Sequence, residues 1–258
     1  MKIHPRFFRL AVSLVALALS GCVSARYKSA DEDTPPPVPL NLTVAQPLVA
    51  ATVNTVIIYK GSGSWKKEAF WDEYVVTVAN RGALPLVVES AALTDFQGET
   101  AAPGDNPWLL EKQSRTRAEE LNRATKATLV QFGTGYLMFG TSVSAAYVGA
   151  GIGGAALGIA GLAVFPAYIG GAVYRNISSR HEIEREFAHR RLMLPATVAP
   201  GGVAQGSLFF RISPGPQRLA LRGRSGAEPV EVAIELTPLK GLHLLPAADT
   251  PPPATATR

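Results

Sequence analysis

A long stretch without charge divides this chain and limits the folds open to the residues on either side. Residues 127–174 contain no Asp, Glu, Lys or Arg, and eleven glycines interrupt the apolar side chains. The stretch is long enough for two helices of about 20 residues each, and the glycines at 149–154 favour a turn between them. We therefore predict a glycine-rich helical hairpin over 127–174.

Small residues recur along the predicted hairpin at a spacing of four. Helix backbones approach closely where such residues share a face, which favours association in lipid. The residues predicted to form a membrane or self-association face are Ala145, Gly149, Gly153, Gly154 and Gly158. Three uses remain open: contact with a membrane, assembly into a homo-oligomer, and packing against the rest of the protein as an internal brace.

Strand-like sequence flanks the hairpin on both sides. Six short runs are rich in Val, Ile, Leu, Phe or Tyr. They lie at 53–59, 74–79, 84–93, 206–212, 218–222 and 229–236. This pattern predicts a mainly β chain with a helical insertion, an α+β fold. We expect one domain around the insertion, because neither block of strands alone buries enough surface to be stable.

The composition also predicts where the parts of the chain begin and end. We expect a proline-rich tether at 23–48 and a disordered tail at 247–258, since both are poor in residues that form a core. Between them, the expected boundaries are 49–106 for the first strands, 107–192 for the helical insertion and 193–246 for the second strands.

Two stretches resemble a known kind of domain. Residues 78–86 and 93–98 resemble the early strands of immunoglobulin-like domains found in bacterial lipoproteins, and 200–202 with 206–210 resemble the later strand pair. The resemblance implies an immunoglobulin-like antiparallel β-sandwich interrupted by the hairpin. It does not extend to the cysteine pair of antibody domains, because the chain has one cysteine.

The amino terminus has the pattern of an export signal. Basic residues precede an apolar run at 10–19 that is too short to span a bilayer, so 1–22 is predicted to be a signal peptide. Leu19-Ser20-Gly21-Cys22 resembles the lipobox of bacterial lipoproteins, which implies a lipid covalently bound to Cys22. The alternative is an uncleaved membrane anchor with a buried free cysteine.

The lipobox also implies a location. Val23 stands where an aspartate retains lipoproteins at the inner membrane, so the resemblance implies the outer membrane, with the domain facing the periplasm. The predicted hairpin is similar to the glycine-zipper hairpins of outer-membrane lipoproteins, which implies membrane association or self-assembly.

Charge and motif spacing argue against several functions. Three of the 25 Lys and Arg residues lie in the leader, leaving 22 against 20 Asp and Glu, so we expect no nucleic-acid partner. Gly149-x-Gly151-x-x-Gly154 lacks the strand and acid of a dinucleotide site. His181 and His189 lack the spacing of zinc hydrolases. We expect no enzyme activity, catalytic residue, metal, small-molecule substrate or cofactor beyond the lipid.

Three aromatic residues near a glycine-serine loop have two interpretations. Trp65, Phe70 and Trp71 could bind a partner from the loop, or they could close one end of the sandwich. The function predicted from the sequence is that of a lipid-anchored envelope protein with a structural or interaction role. The alternative is a periplasmic binding module whose sandwich loops recognise a protein or a cell-wall glycan, with the hairpin as a brace.

Overall fold

The structure is a computed structural model that describes residues 36–59, 61, 63–66, 69–132 and 180–245. Within these residues the chain is mainly β, with two antiparallel sheets and two α-helices. This confirms the mainly β class predicted from the sequence. The leader, half of the tether, the tail and most of the predicted hairpin lie outside the described residues.

Nine strands form the two sheets of the described part. In chain order they are β1 (Leu42–Ala45), β2 (Val49–Ile57), β3 (Asp72–Asn80), β4 (Leu86–Thr94), β5 (Thr100–Ala101), β6 (Ala196–Val198), β7 (Val203–Phe210), β8 (Arg218–Ser225) and β9 (Glu228–Glu235). Sheet A has the order β1-β2-β3-β7. Sheet B has the order β5-β4-β8-β9, and β6 pairs with the other end of β4.

Strands from both sides of the glycine-rich stretch share each sheet. β7 pairs along its whole length with β3, and β8 pairs along its whole length with β4. The two strand blocks therefore do not form two separate sheets. The described strands on both sides of 133–179 form one packed unit.

A hydrophobic cluster takes side chains from both sheets. Successive side chains along a strand point to opposite faces, so Tyr74, Val76 and Val78 of β3 enter this cluster together. Leu219 and Leu221 of β8 enter it from sheet B. All five side chains are buried. The two sheets thus share one hydrophobic core.

Two α-helices pack on the other face of sheet A. They are α1 (Pro107–Thr125) and α2 (Arg180–Arg190). A second cluster joins Leu110 of α1, Ile183 and Phe187 of α2, and Phe209 of β7. α1 begins where the Asn106 side chain accepts hydrogen bonds from two N–H groups of the first turn. The helices therefore cover a sheet face that already carries apolar side chains.

The outer face of sheet B is charged and exposed. Arg222 pairs with Glu231 across β8 and β9 at 3.0 Å, and Arg224 pairs with Glu89 across β8 and β4 at 3.3 Å. These side chains are about half exposed or more, so each pair adds little to stability. This face points to solvent, in contrast to the helix-covered face of sheet A.

Two boundaries differ from the sequence predictions. β1 lies within 23–48, the range predicted as a tether, because Leu42 and Val44 of this short strand pack against the core. Residues 127–132, predicted as the start of the hairpin, are not helical. Val130 instead forms a β-bridge with the C-terminal part of the described chain.

Candidate functional site

Asn122 of α1 fixes the chain just before residues 133–179. Its Oδ1 accepts hydrogen bonds from the backbone N–H groups of Leu129 and Val130 at 2.8 and 2.7 Å, and its Nδ2 donates to the Val130 carbonyl at 3.0 Å. α1 ends before this point because Lys126 adopts a left-handed backbone with φ of 53°. One amide side chain thus satisfies three backbone groups. It holds residues 129–132, which we name the entering border of the segment 133–179, against the helix.

An aromatic stack holds Phe132, the last described residue of the entering border. Phe132 stacks on Phe70 with ring centroids 4.0 Å apart, and the Arg115 guanidinium lies 4.3 Å from the Phe70 centroid. The Phe70 N–H donates to the Glu111 carboxylate at 2.6 Å, and Arg115 Nε donates to it at 2.7 Å. Burial raises the pKa of Glu111, and these two donors oppose the rise. α1 therefore orients Phe70, which supports Phe132.

α2 brings the chain back from residues 133–179 and docks on α1. Ile183 and Phe187 are buried in the second cluster, and the Trp108 indole N–H of α1 donates to the Glu184 carboxylate. Both borders of the segment 133–179 are therefore attached to α1. We name the residues that attach them the collar: Phe70, Trp108, Asn122, Phe132 and Glu184.

The loop between β2 and β3 buries a lysine next to the collar. Lys66 is 1% exposed, and its Nζ donates to the carbonyls of Trp71 and Ala69 at 2.5 and 3.3 Å. The same nitrogen lies 4.1 Å from the centroid of the Trp71 ring. Burial lowers the pKa of Lys66 from 10.5 to about 8, against the attraction of three nearby carboxylates. Lys66 thereby ties together the loop that ends at Phe70 and Trp71.

A buried charge cluster lies under the C-terminal end of α2. Glu73 of β3 accepts hydrogen bonds from the Trp65 indole at 2.5 Å and the Ser207 hydroxyl at 2.6 Å. Arg190 of α2 lies 3.6 Å from Glu73 and 2.8 Å from Glu186. Burial lowers the pKa of Arg190, but the attraction of both carboxylates outweighs burial and raises it overall. A cleft of about 30 Å³ beside the cluster has room for about two water molecules. The cluster fastens α2 to sheet A.

The aromatic residues predicted to bind a partner are mostly interior. Trp65 and Trp71 are 4% and 0% exposed, with ring centroids 5.6 Å apart. Trp71 also meets Phe187 and Phe209 edge-on, at 5.4 and 5.2 Å. Phe70 is half-buried in the collar. The two tryptophans therefore pack between sheet A and α2, and they present no open ring face to a partner.

Other predicted site residues cannot be placed against the collar. The lipidation and small-residue positions lie outside the described residues; they are Cys22, Ala145, Gly149, Gly153, Gly154 and Gly158. Conversely, no sequence pattern points to Asn122, Lys66 or Glu111. A single asparagine or glutamate in a polar helix, or a lysine in a loop, carries no signal until distant parts of the chain bury it.

The collar can hold and orient the two borders of a segment. Phe132 stacks on Phe70, Trp108 donates to Glu184, and Asn122 binds the backbone at 129–130. α1 supplies Trp108 and Asn122. Among the residues that the structure describes, no three metal-ligating side chains gather to hold an ion. In the same part of the chain, neither helix is long and apolar enough to cross a membrane.

No family model matches this chain, and no curated protein or solved structure matches it either.

Proposed function

We propose that this chain is a lipid-anchored cell-envelope protein with a non-catalytic, structural or interaction role. In this proposal the two-sheet unit presents the glycine-rich segment to a membrane or to other copies of the chain. The observation that carries the proposal is the attachment of both borders to α1. Asn122 holds the entering border, and the pair of Trp108 and Glu184 holds the returning one. A segment fixed at both ends to one helix can act on a surface as a unit.

The composition of the segment supports this role. Residues 133–174 of the segment 133–179 contain no Asp, Glu, Lys or Arg. Their small side chains suit close contact between helices or with lipid. A large apolar surface is unusual on a soluble monomer unless lipid or another subunit covers it. The proposed contact positions are Ala145, Gly149, Gly153, Gly154 and Gly158.

We also propose that the two sheets form an immunoglobulin-like sandwich, as the sequence resemblance implies. The support is a core shared between two antiparallel sheets, to which alternate residues of β3 and β8 contribute their side chains. In this proposal the sandwich is the platform from which the segment projects.

The lipid anchor sets how far the platform can lie from a membrane. In this proposal Cys22 carries the lipid at the outer membrane, and the domain faces the periplasm. The extended chain from Cys22 to Pro36 spans at most roughly 50 Å. The end of the tether is fixed along β2, because the Leu40 N–H donates to the Asn54 carbonyl at 2.7 Å. The platform therefore stays within that reach of the lipid surface.

The test compares two chains that cannot be lipidated. Both begin at position 22 and carry Cys22→Ser, and one has residues 134–178 replaced by a short glycine-serine linker. This deletion spares Leu129, Val130 and Phe132, which contact the rest of the protein. We expect the intact chain to float with vesicles of phosphatidylethanolamine and phosphatidylglycerol, or to form detergent-sensitive oligomers. The shortened chain should stay monomeric and unbound.

A third chain separates the two kinds of contact. Leucine at Gly149, Gly153, Gly154 and Gly158 blocks close helix approach but keeps the segment apolar. Lost oligomers with retained flotation indicate self-association through small residues. If the intact chain neither floats nor assembles, the proposal is wrong and the segment is an internal brace.

A further inference from the structure

The C-terminal end of the described chain clamps the entering border of the glycine-rich segment. Residues 243–245, which we name the strap, follow the core residue Leu242 and run antiparallel to 129–131. Val130 and Leu244 form a β-bridge, and an N–H group of each segment donates to a carbonyl of the other at 3.0 Å. The strap thus adds a hold on the entering border to those of Asn122 and of the Phe70–Phe132 stack.

A buried side-chain pair fastens the strap to β3. His243 Nε2 and Asp72 Oδ2 lie 2.8 Å apart, and the two side chains are 1% and 0% exposed. The His243 carbonyl accepts the hydrogen bond from the Gln131 N–H. One residue therefore holds β3 with its ring and the entering border with its backbone.

Two features make this strap easier to open than the core. His243 has a φ of 62°, a left-handed backbone that strains residues other than glycine. Asp72 Oδ1 and His243 Nδ1 are buried without a hydrogen-bond partner among the described residues. Buried polar atoms of this kind carry a desolvation cost that exposure to water removes. Opening the strap relieves both costs and breaks no pairing between the strands of the two sheets.

We propose that the strap is a releasable clamp on the entering border and that the Asp72–His243 pair is its pin. The strap opens locally while both sheets stay folded, and its opening leaves Asn122 and the stack of Phe132 on Phe70 as the remaining holds. This inference rests on contacts within the described residues, so it stands or falls separately from the lipid anchor and from membrane contact.

Hydrogen exchange on the full chain tests the clamp. The Gln131 and Leu245 amides report on the strap because their hydrogen bonds cross between it and the border, and the amides of β3 report on the core. We expect the two reporters to exchange at least tenfold faster than the core amides, through an opening insensitive to low denaturant. Reporters that exchange only together with the core overturn the clamp.

A variant without the pin gives the second test. Asp72→Asn with His243→Gly removes the side-chain contact, and glycine adopts the left-handed backbone freely. We expect both reporters to exchange about tenfold faster again, with core rates unchanged. Asn41→Gly is the matched control, since Asn41 is also left-handed, with φ of 49°, but is exposed and outside the strap.

A milder variant covers the case in which the double variant does not fold. His243→Asn tolerates the same backbone, but its side chain is too short to reach Asp72. Unchanged reporter rates in any folded variant without the pin contradict the proposal.

Discussion

At the scale of single residues, Lys66 gives the stability of the protein a pH dependence. Its pKa is about 8 in the folded protein against 10.5 for a solvated lysine, because burial penalises the charged form. Between these values the unfolded chain binds more protons than the folded one, so stability rises with pH. The cost of burying the charged Lys66 side chain is complete below pH 8, and it is relieved as the pH rises toward 10.5. The free energy of unfolding should therefore gain up to about 3 kcal/mol from this group.

Urea unfolding between pH 7 and pH 10 checks this expectation. Lys66→Met is the reference, because methionine is unbranched and has no charge to titrate. The difference in unfolding free energy between the two proteins should move in favour of the wild type above pH 8. A difference that stays constant over this range contradicts the lowered pKa.

The roles of individual side chains were the hardest part to predict. Trp65 and Trp71 stand out in the sequence, yet residues of α1, α2 and β7 from distant parts of the chain bury them. Asp72 and Glu73 are adjacent in the sequence, where two carboxylates alone predict no burial. They are fully buried because α2 and the C-terminal residues supply their partners.

At the scale of elements, the pairing of β4 with β8 depends on one glycine. The register shifts between Val88 and Ser90, and a Cβ on Gly223 would lie 2.0 Å from the Val87 carbonyl oxygen. We expect Gly223→Ala to lower the free energy of unfolding by about 3 kcal/mol, because backbone must move. Gly82→Ala is the control, since its nearest neighbour would lie at 3.3 Å. Equal losses in urea unfolding of the two variants contradict this account.

Elements were predicted well where their sequence pattern is local. The runs at 74–79 and 229–236 fall within β3 and close to β9, because β-branched residues and alternation mark them directly. β1 was missed, because four residues next to prolines carry little pattern. The chain at 127–132 was misread as helix, because the contacts that stop it come from Asn122 and from the strap.

At the scale of the whole molecule, strands of both blocks share each sheet. The sequence favours one unit, because neither block of strands alone buries enough surface to be stable. The strand order of both sheets agrees with this expectation. Sequence could not say which strands pair, since many orders bury the same apolar residues. The structure supplies this pairing, in which β3 joins β7 and β4 joins β8.

Strands from both sides of 133–179 share each sheet, which leads to a prediction for the chain in which a 12-residue linker replaces 134–178. Every strand of the described part lies outside these residues, so the two sheets should still fold. Shortening the connection about fourfold lowers the entropy cost of closing it, so the free energy of unfolding should rise by about 1 kcal/mol. Urea unfolding followed by tryptophan fluorescence and circular dichroism should give coincident transitions, as expected for two-state unfolding. A loss of several kcal/mol, or separated transitions, would mean that the segment is part of the folded core.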